Sequence, residues 1–133
     1  MSSLYPDPDL MSGAALAYLG DAVWELVTRR RLLAEGITDV GKLNRTALAY
    51  VRATAQSDAV ERLLPCLTEE ETAVYKRGRN AHGVTVPKSA SALQYRRATG
   101  LEALFGYLFL KDRRERLEEL YAAAFPENAS PER

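Results

Sequence analysis

Two acidic residues in this sequence have a setting that suits chemistry, and the first is Asp21. The run ALAYLGDAVWELVTRR, residues 15–30, repeats apolar residues at spacings of three and four, the pattern of an amphipathic helix. Asp21 lies at the edge of the apolar face, directly after Gly20. A buried carboxylate needs a cation, hydrogen bonds or a metal, and a glycine inside a helix marks close approach of another backbone or a ligand. The residues alone leave a metal-binding acid and a salt-bridged core acid both open.

The second acid, Glu102, repeats this arrangement near the other end of the chain. In LEALFGYL, residues 101–108, Glu102 lies one position off an apolar helical face that also contains Gly106. Two such helices packed face to face could bring Asp21 and Glu102 together. Two close carboxylates repel each other unless a cation lies between them, and Mg²⁺ prefers oxygen ligands. The alternative is that each acid pairs with a nearby arginine.

A basic segment separates the two acidic helices. Residues 72–101 contain no Asp or Glu, although the whole chain is neutral, with 18 basic and 18 acidic side chains. Such segregation suits a phosphate backbone, and the loop HGVTVP, residues 82–87, could fit a groove, although a charge run is also typical of a solvated face. The predicted RNA contacts are Lys76, Arg77, Arg79, Asn80, Lys88, Arg96 and Arg97.

The apolar periodicity predicts an all-α domain over residues 10–126, with an irregular lead-in over 1–9 and a disordered tail over 127–133. No strand-like alternation and no repeat interrupts this pattern. Ser12 is predicted as a cap inside the first helix, and Thr68 begins a capping-box sequence. The predicted helices run from Leu10 or Met11 to Glu35, from Thr38 or Asp39 to Pro65, from Thr68 to about Gly78, from Ser89 or Ser91 to about Leu110, and from the cap Asp112 to about Phe125.

The amino-acid composition indicates the cellular compartment of the protein. A chain of 133 residues with 47% hydrophobic residues can form one domain without disulfides. The single cysteine, Cys66, cannot form an internal disulfide, and its apolar context LLPCL predicts a core thiol. No apolar run reaches the length of a membrane span. We therefore expect a cytoplasmic protein without a membrane partner.

Two motifs resemble one known family. YLGDAVWEL, residues 18–26, resembles the signature helix of ribonuclease III domains, and LEALFGYLFL, residues 101–110, resembles their later DxxEALxG helix. KRGRNAH, VPK and YRRATG lie between them and are similar to the short form of the family, Mini-ribonuclease III, which consists of the catalytic domain alone. The resemblance runs from about Leu16 to Leu110. It implies a ribonuclease III-like helical fold and a homodimer that cuts double-stranded RNA with Mg²⁺, for which Mn²⁺ can substitute.

The resemblance also implies which residues act and on what. Asp21 matches the catalytic aspartate and Glu102 the metal-binding glutamate, so both are expected to bind the metal. The expected products carry a 5′-phosphate and a 3′-hydroxyl, and the expected substrate is the stem of precursor 23S ribosomal RNA. Any choice of substrate would come from the catalytic surface and the shape of the RNA.

The sequence departs from full-length ribonuclease III at three acidic positions. The upstream glutamates of its signature, ERLEFLGD, are Ala14 and Ala17 here, and the aspartate of its second motif is Thr99. These substitutions are typical of the short form, and they leave waters and RNA phosphate to complete the metal coordination. Glu25, four residues after Asp21, could be an outer-shell acid, but it is expected to pair with Arg29 four residues later.

The apolar residues of the first helix also predict a homodimer, independently of the family resemblance. Trp24 falls away from its main apolar stripe, and Tyr18 and Leu32 widen the band, so more than one side of the helix should be covered. A second copy on a two-fold axis would cover it. The alternative is that the second helical region covers Trp24 within one chain.

Two other functional classes fit part of the pattern. A non-catalytic dimeric RNA-binding module of ribonuclease III-like fold would not need Asp21 and Glu102, which are both present. A helical transcription regulator would need a recognition helix with base-reading side chains, and none is evident. We therefore expect no DNA partner.

Overall fold

Six α-helices make up most of the part of the chain that the structure describes, residues 6–81 and 91–126 of a computed structural model. Short 3₁₀ turns lie at Pro8–Leu10 and Leu64–Cys66, and no strand occurs in these residues. The predicted all-α class is confirmed. The helices are α1 (Gly13–Ala34), α2 (Val40–Val51), α3 (Ala53–Leu63), α4 (Glu69–Arg79), α5 (Ala92–Leu110) and α6 (Arg114–Ala124).

Helix α5 is the central element. It packs against α1, α3, α4 and α6. Every residue between Ala98 and Leu108 except Glu102 is buried. A helix that is covered on all sides must be apolar nearly all round, as this stretch is. Glu102 is therefore a carboxylate set into the most enclosed helix of the domain.

Side-chain caps start the helices at the residues that the sequence indicates. The Ser12 hydroxyl accepts a hydrogen bond from the Ala15 amide at 3.1 Å at the start of α1. Thr68 before α4 and Ser91 before α5 each form a reciprocal capping box, which pairs two otherwise free backbone donors. Gly36, with a φ of 90°, follows the end of α1 as predicted.

Three predicted boundaries are wrong. Ser12 caps the start of α1 and does not lie inside it, because the 3₁₀ turn ends before it. The second predicted helix is two helices, since Arg52 is extended, with a ψ of 148°, between α2 and α3. Asp112 does not cap α6. It follows the end of α5 in the left-handed region, with a φ of 59°, and Arg113 precedes α6.

The predicted core thiol is also wrong, because Cys66 is exposed. It ends the 3₁₀ turn that follows α3, where the neighbouring Leu64 is 41% exposed as well. Leu63 of this apolar run is fully buried, and Leu67 is partly buried against the core. An apolar run that ends a helix at the surface therefore does not bury every one of its members.

Trp24 is buried within one chain, contrary to its predicted place on a dimer surface. Its indole Nε1 donates to the Tyr50 carbonyl oxygen at 2.9 Å, so α2 covers its polar edge. Its ring lies 4.8 Å from that of Phe105, 5.0 Å from that of Tyr121 and 5.8 Å from that of Phe125, measured between centroids. The second helical region and the C-terminal helix thus cover Trp24.

The exposed apolar surface of α1 lies on a different stripe. Tyr18, Leu26 and Leu33 are 87%, 52% and 55% exposed, whereas Leu32 is buried. At 100° per residue these three positions fall within about one quarter of the helix circumference. We call Tyr18, Leu26 and Leu33 the exposed α1 stripe.

The segment before α1 is fixed to the end of α5. Lys111 Nζ lies 2.8 Å from Asp9 Oδ2, and the Tyr107 hydroxyl donates to Asp9 Oδ1 at 2.6 Å. None of the helices in the described ranges is long and apolar enough to cross a membrane. The predicted loop 82–87 and tail 127–133 lie outside the described residues.

Candidate active site

The candidate site is built where α1 crosses α5 with backbone against backbone. A Cβ atom placed on Gly20 would lie 1.6 Å from the carbonyl oxygen of Glu102, and one on Gly106 would lie 2.2 Å from that of Leu16. Neither glycine could carry a side chain without separating the helices. The predicted reason for these glycines, close approach of another backbone, is confirmed. Asp21 follows Gly20, so the crossing places the two acids on adjacent backbone segments.

The charges of the two acids interact. The pKa of the Glu102 carboxyl is raised to about 8, first by burial and second by the negative charge of Asp21. Glu102 is half-buried, whereas Asp21 is exposed. The fold thus holds a poorly solvated carboxylate against a solvated one. A cation bound between them would favour the ionised form of both.

The donor set fits a hard divalent ion. Asp21 and Glu102 supply carboxylate oxygens, which Mg²⁺ and Mn²⁺ prefer, and Mg²⁺ is commonly held by one or two carboxylates with waters and phosphate oxygens. Among the described residues no cluster of three or more His, Cys, Asp or Glu side chains could hold a metal. The site therefore offers two carboxylates and leaves room for water and substrate in the coordination.

The three substituted positions add no carboxylate to this pair. Ala17 is buried and Ala14 is half-buried. The hydroxyl of Thr99 donates to the Tyr95 carbonyl oxygen of its own helix at 2.9 Å. The ion pairs found in the described part of the chain do not include the predicted pair of Glu25 with Arg29.

Sequence reasoning missed Gln56 as a site residue. Its side chain is 3% exposed, and its amide Nε2 donates to Glu102 Oε2 at 3.4 Å from the neighbouring helix α3. This bond opposes the rise in the Glu102 pKa, because it stabilises the charged form. The available signal was its helical spacing with the buried Val60 and Leu63, which puts an amide on an apolar face.

The predicted RNA contacts at the end of α4 differ in whether their side chains already contact other residues of the chain. Lys76 and Asn80 are exposed. The Arg77 guanidinium donates to the carbonyl oxygens of Pro8 and Met11, at 3.3 and 3.1 Å, so it holds the lead-in against α4. Arg79 lies over the Tyr75 ring, and its Nε donates to Asn80 Oδ1 at 3.1 Å.

The remaining predicted contacts lie on or before α5. Arg96 is exposed, and Arg97 pairs with Glu61 at 3.0 Å. Lys88 lies outside the described residues. Because α4 and α5 pack together, Lys76, Asn80 and Arg96 are the exposed polar side chains that this pair of helices can offer to a polyanion.

The chain is similar to known proteins of one family over most of its length. The ribonuclease III domain family matches residues 14–113. Mini-ribonuclease 3 of Symbiobacterium thermophilum is 49% identical over 118 residues, which cover 89% of this chain and 91% of the relative. Mini-ribonuclease 3 of Enterococcus faecalis is 48% identical, with 83% and 85% covered. A crystal structure of a Fusobacterium nucleatum protein has a TM-score of 0.77 at 34% identity, and the match covers 87% of this chain and 93% of that one.

Proposed function

This chain belongs to the ribonuclease III family as one of the Mini-ribonucleases 3, which are endoribonucleases, and on that basis we propose that it cleaves double-stranded RNA with Mg²⁺. The observation that carries the proposal is the pair of carboxylates at the α1–α5 crossing, where Gly20 and Gly106 let the backbones touch. Asp21 and Glu102 are the residues that we assign to catalysis and metal binding. Mn²⁺ has the same preference for carboxylate and water and can substitute.

We assign different roles to the two acids because their side chains differ in exposure. When bound, the ion supplies a more acidic water and stabilises negative charge on the phosphate and the leaving oxygen. Asp21 is exposed, so its carboxylate can hold the ion where a phosphodiester can reach it. Glu102 would hold the ion from the half-buried side. Attack of water would form a new P–O bond as the P–O3′ bond breaks, and the departing 3′ oxygen would take up a proton, which leaves a 5′-phosphate and a 3′-hydroxyl.

We assign the dimer interface to the exposed α1 stripe. Tyr18, Leu26 and Leu33 expose large apolar side chains on one face of the helix that carries Asp21. A self-complementary patch of this kind is buried by a second copy on a two-fold axis. Duplex RNA has antiparallel strands, so two sites related by that axis can each cut one strand.

The substrate assignment rests on resemblance and on exposed polar and basic side chains. We propose precursor 23S ribosomal RNA as the physiological substrate, in the cytoplasm, where the single cysteine would stay reduced. Lys76, Asn80 and Arg96 are the described side chains best placed to bind the RNA backbone. Contacts of this kind recognise the shape of an A-form duplex more than its sequence.

The test is cleavage of a long duplex RNA with and without Mg²⁺. Asp21→Asn and Glu102→Gln should abolish cleavage and retain duplex binding, because each amide keeps the shape of the acid and removes the charge that the ion needs. Asp58→Asn is the matched control, since Asp58 is an exposed acid on α3. Wild-type turnover by Asp21→Asn or Glu102→Gln would refute the site.

The alternative function is a non-catalytic dimeric RNA-binding module. The same experiment separates it from the enzyme, because such a module would bind the duplex and leave it intact in Mg²⁺ and in Mn²⁺. The position of Glu102 disfavours this alternative. A carboxylate that is costly to ionise in the absence of a cation would serve no purpose in a module that binds RNA through surface cations alone.

A further inference from the structure

We propose that Gln56 is a positioning residue of the active site, which fixes the orientation of the Glu102 carboxylate for the divalent ion. This inference rests on the proposed function, because it assigns a role toward the same ion. Gln56 lies on α3 and Glu102 on α5, 46 residues apart, so only the tertiary structure brings them together. The contact is the hydrogen bond from Gln56 Nε2 to Glu102 Oε2 at 3.4 Å.

The apolar surroundings of Gln56 indicate that its amide has a functional role. Ala59, Val60 and Leu63 continue the same face of α3 and are buried apolar side chains. An apolar residue at position 56 would continue this packing, whereas a buried amide loses its hydration and must be paired. The partner that the structure provides for its donor end is Glu102.

The geometry leaves the carboxylate able to bind an ion. Each carboxylate oxygen can accept about two hydrogen bonds or ligand contacts. The amide bonds Oε2 and does not occupy Oε1. One bond at one oxygen restrains rotation of the carboxyl group and keeps the other oxygen open for coordination.

The neutrality of the amide matters as much as its position. A lysine or arginine at this distance would compensate the Glu102 charge and compete with a divalent ion for it. Gln56 supplies an N–H donor without a positive charge, so the pair of Asp21 and Glu102 keeps its full attraction for the ion. Hydrogen bonds that orient metal ligands in this way contribute about 10-fold to 100-fold to metal affinity or activity.

The experiment compares Mn²⁺ binding by the purified wild type, Gln56→Met and the control Asp58→Asn, measured by titration calorimetry at a temperature where all three are folded. Methionine is unbranched and apolar, so it fills the site and removes the donor. We expect Gln56→Met to bind Mn²⁺ about 10-fold to 100-fold more weakly, with Asp58→Asn unchanged. In cleavage, Gln56→Met should need a higher Mg²⁺ concentration for half-maximal rate and recover toward the wild-type rate at saturation, which a purely structural defect would not do.

Equal Mn²⁺ affinity and equal Mg²⁺ requirement in Gln56→Met and the wild type would overturn the role of Gln56 and leave the proposed function standing. A wild type that neither binds Mn²⁺ nor cleaves duplex RNA would instead refute the proposed function. If Gln56→Met does not fold, Gln56→Asn takes its place, because its amide is one methylene shorter and should not reach Glu102. The same two measurements and the same criterion then apply.

Discussion

Gly20→Ala is the sharpest test of how the fold assembles the site. A Cβ atom at position 20 would lie 1.6 Å from the carbonyl oxygen of Glu102 and 2.4 Å from its carbonyl carbon, where ordinary contact begins at 3.4 Å. These are backbone atoms of α5, which cannot rotate away as a side chain would. The two helices would therefore have to separate by about 2 Å at the crossing, or deform there.

The magnitude follows from two opposing terms. Alanine is favoured over glycine inside a helix by about 1 kcal/mol. Overpacking a tight core contact costs roughly 1–3 kcal/mol, and more where backbone must move. At the upper end of that range, the net loss in the free energy of unfolding is about 2 kcal/mol. For a domain of this size, that loss lowers the melting temperature by roughly 6–10 °C.

The effect on cleavage should exceed the effect on stability. A displacement of Glu102 away from Asp21 by an ångström or more should lower the rate by about 100-fold, since misplacement of that size breaks the arrangement of catalytic groups. The assays are thermal unfolding by circular dichroism, and duplex RNA cleavage at a temperature at which the variant is fully folded.

Gly41→Ala is the matched control. A Cβ atom at position 41 would meet the Arg45 guanidinium at 3.2 Å and the capping carboxylate of Asp39 at 3.4 Å, and no backbone atom. It should leave cleavage unchanged and alter stability by no more than about 1 kcal/mol. A Gly20→Ala variant that melts and cleaves as the wild type does would refute the backbone contact as the origin of the site.

Three further predictions follow from the pH behaviour and the surface charges. Arg116 holds the pKa of the buried Glu71 carboxyl below its usual value, so Glu71 should stabilise the fold above pH 4.5 and lose that contribution as the pH falls through its lowered pKa. Glu71→Gln should therefore cost about 2 kcal/mol in urea unfolding at pH 7, and this cost should shrink as the pH falls through that lowered pKa; a cost that does not change with pH would contradict the ion pair. Because the pKa of Glu102 is about 8 without a cation, the cleavage rate at limiting Mg²⁺ should rise between pH 7 and 9. A higher Mg²⁺ concentration should move that rise to lower pH, because the ion favours the ionised carboxylate. A rise at the same pH at every Mg²⁺ concentration would contradict the assignment of Glu102 as a metal ligand. Lys76→Ala should lower the slope of log affinity against log salt concentration in duplex binding by about one unit. Arg77→Ala should chiefly lower the melting temperature, because the Arg77 guanidinium donates to backbone carbonyl oxygens. A change of slope in Arg77→Ala and not in Lys76→Ala would reverse these two roles.

The sequence alone determined the features that depend on neighbours in the chain. The caps Thr68 and Ser91 and the stop at Gly36 fixed helix ends, because capping uses residues within one turn. The two acids, each with a glycine on its own helix, indicate a close crossing, because glycine lacks the Cβ atom that would hold two backbones apart. The all-α class followed from the same local periodicity.

The tertiary structure decided which side chains the rest of the chain covers. The helical position of Trp24 predicts that it lies on an interface. The aromatic cluster that encloses it comes from residues far away in the chain, so the sequence alone does not show it. Arg77 looked like a free cation, and Gln56 like one more position of an amphipathic helix, until their partners on distant segments were in place. Periodicity defines a helix face, but burial, pairing and pKa depend on contacts between residues far apart in the chain, and those contacts form only when the helices pack.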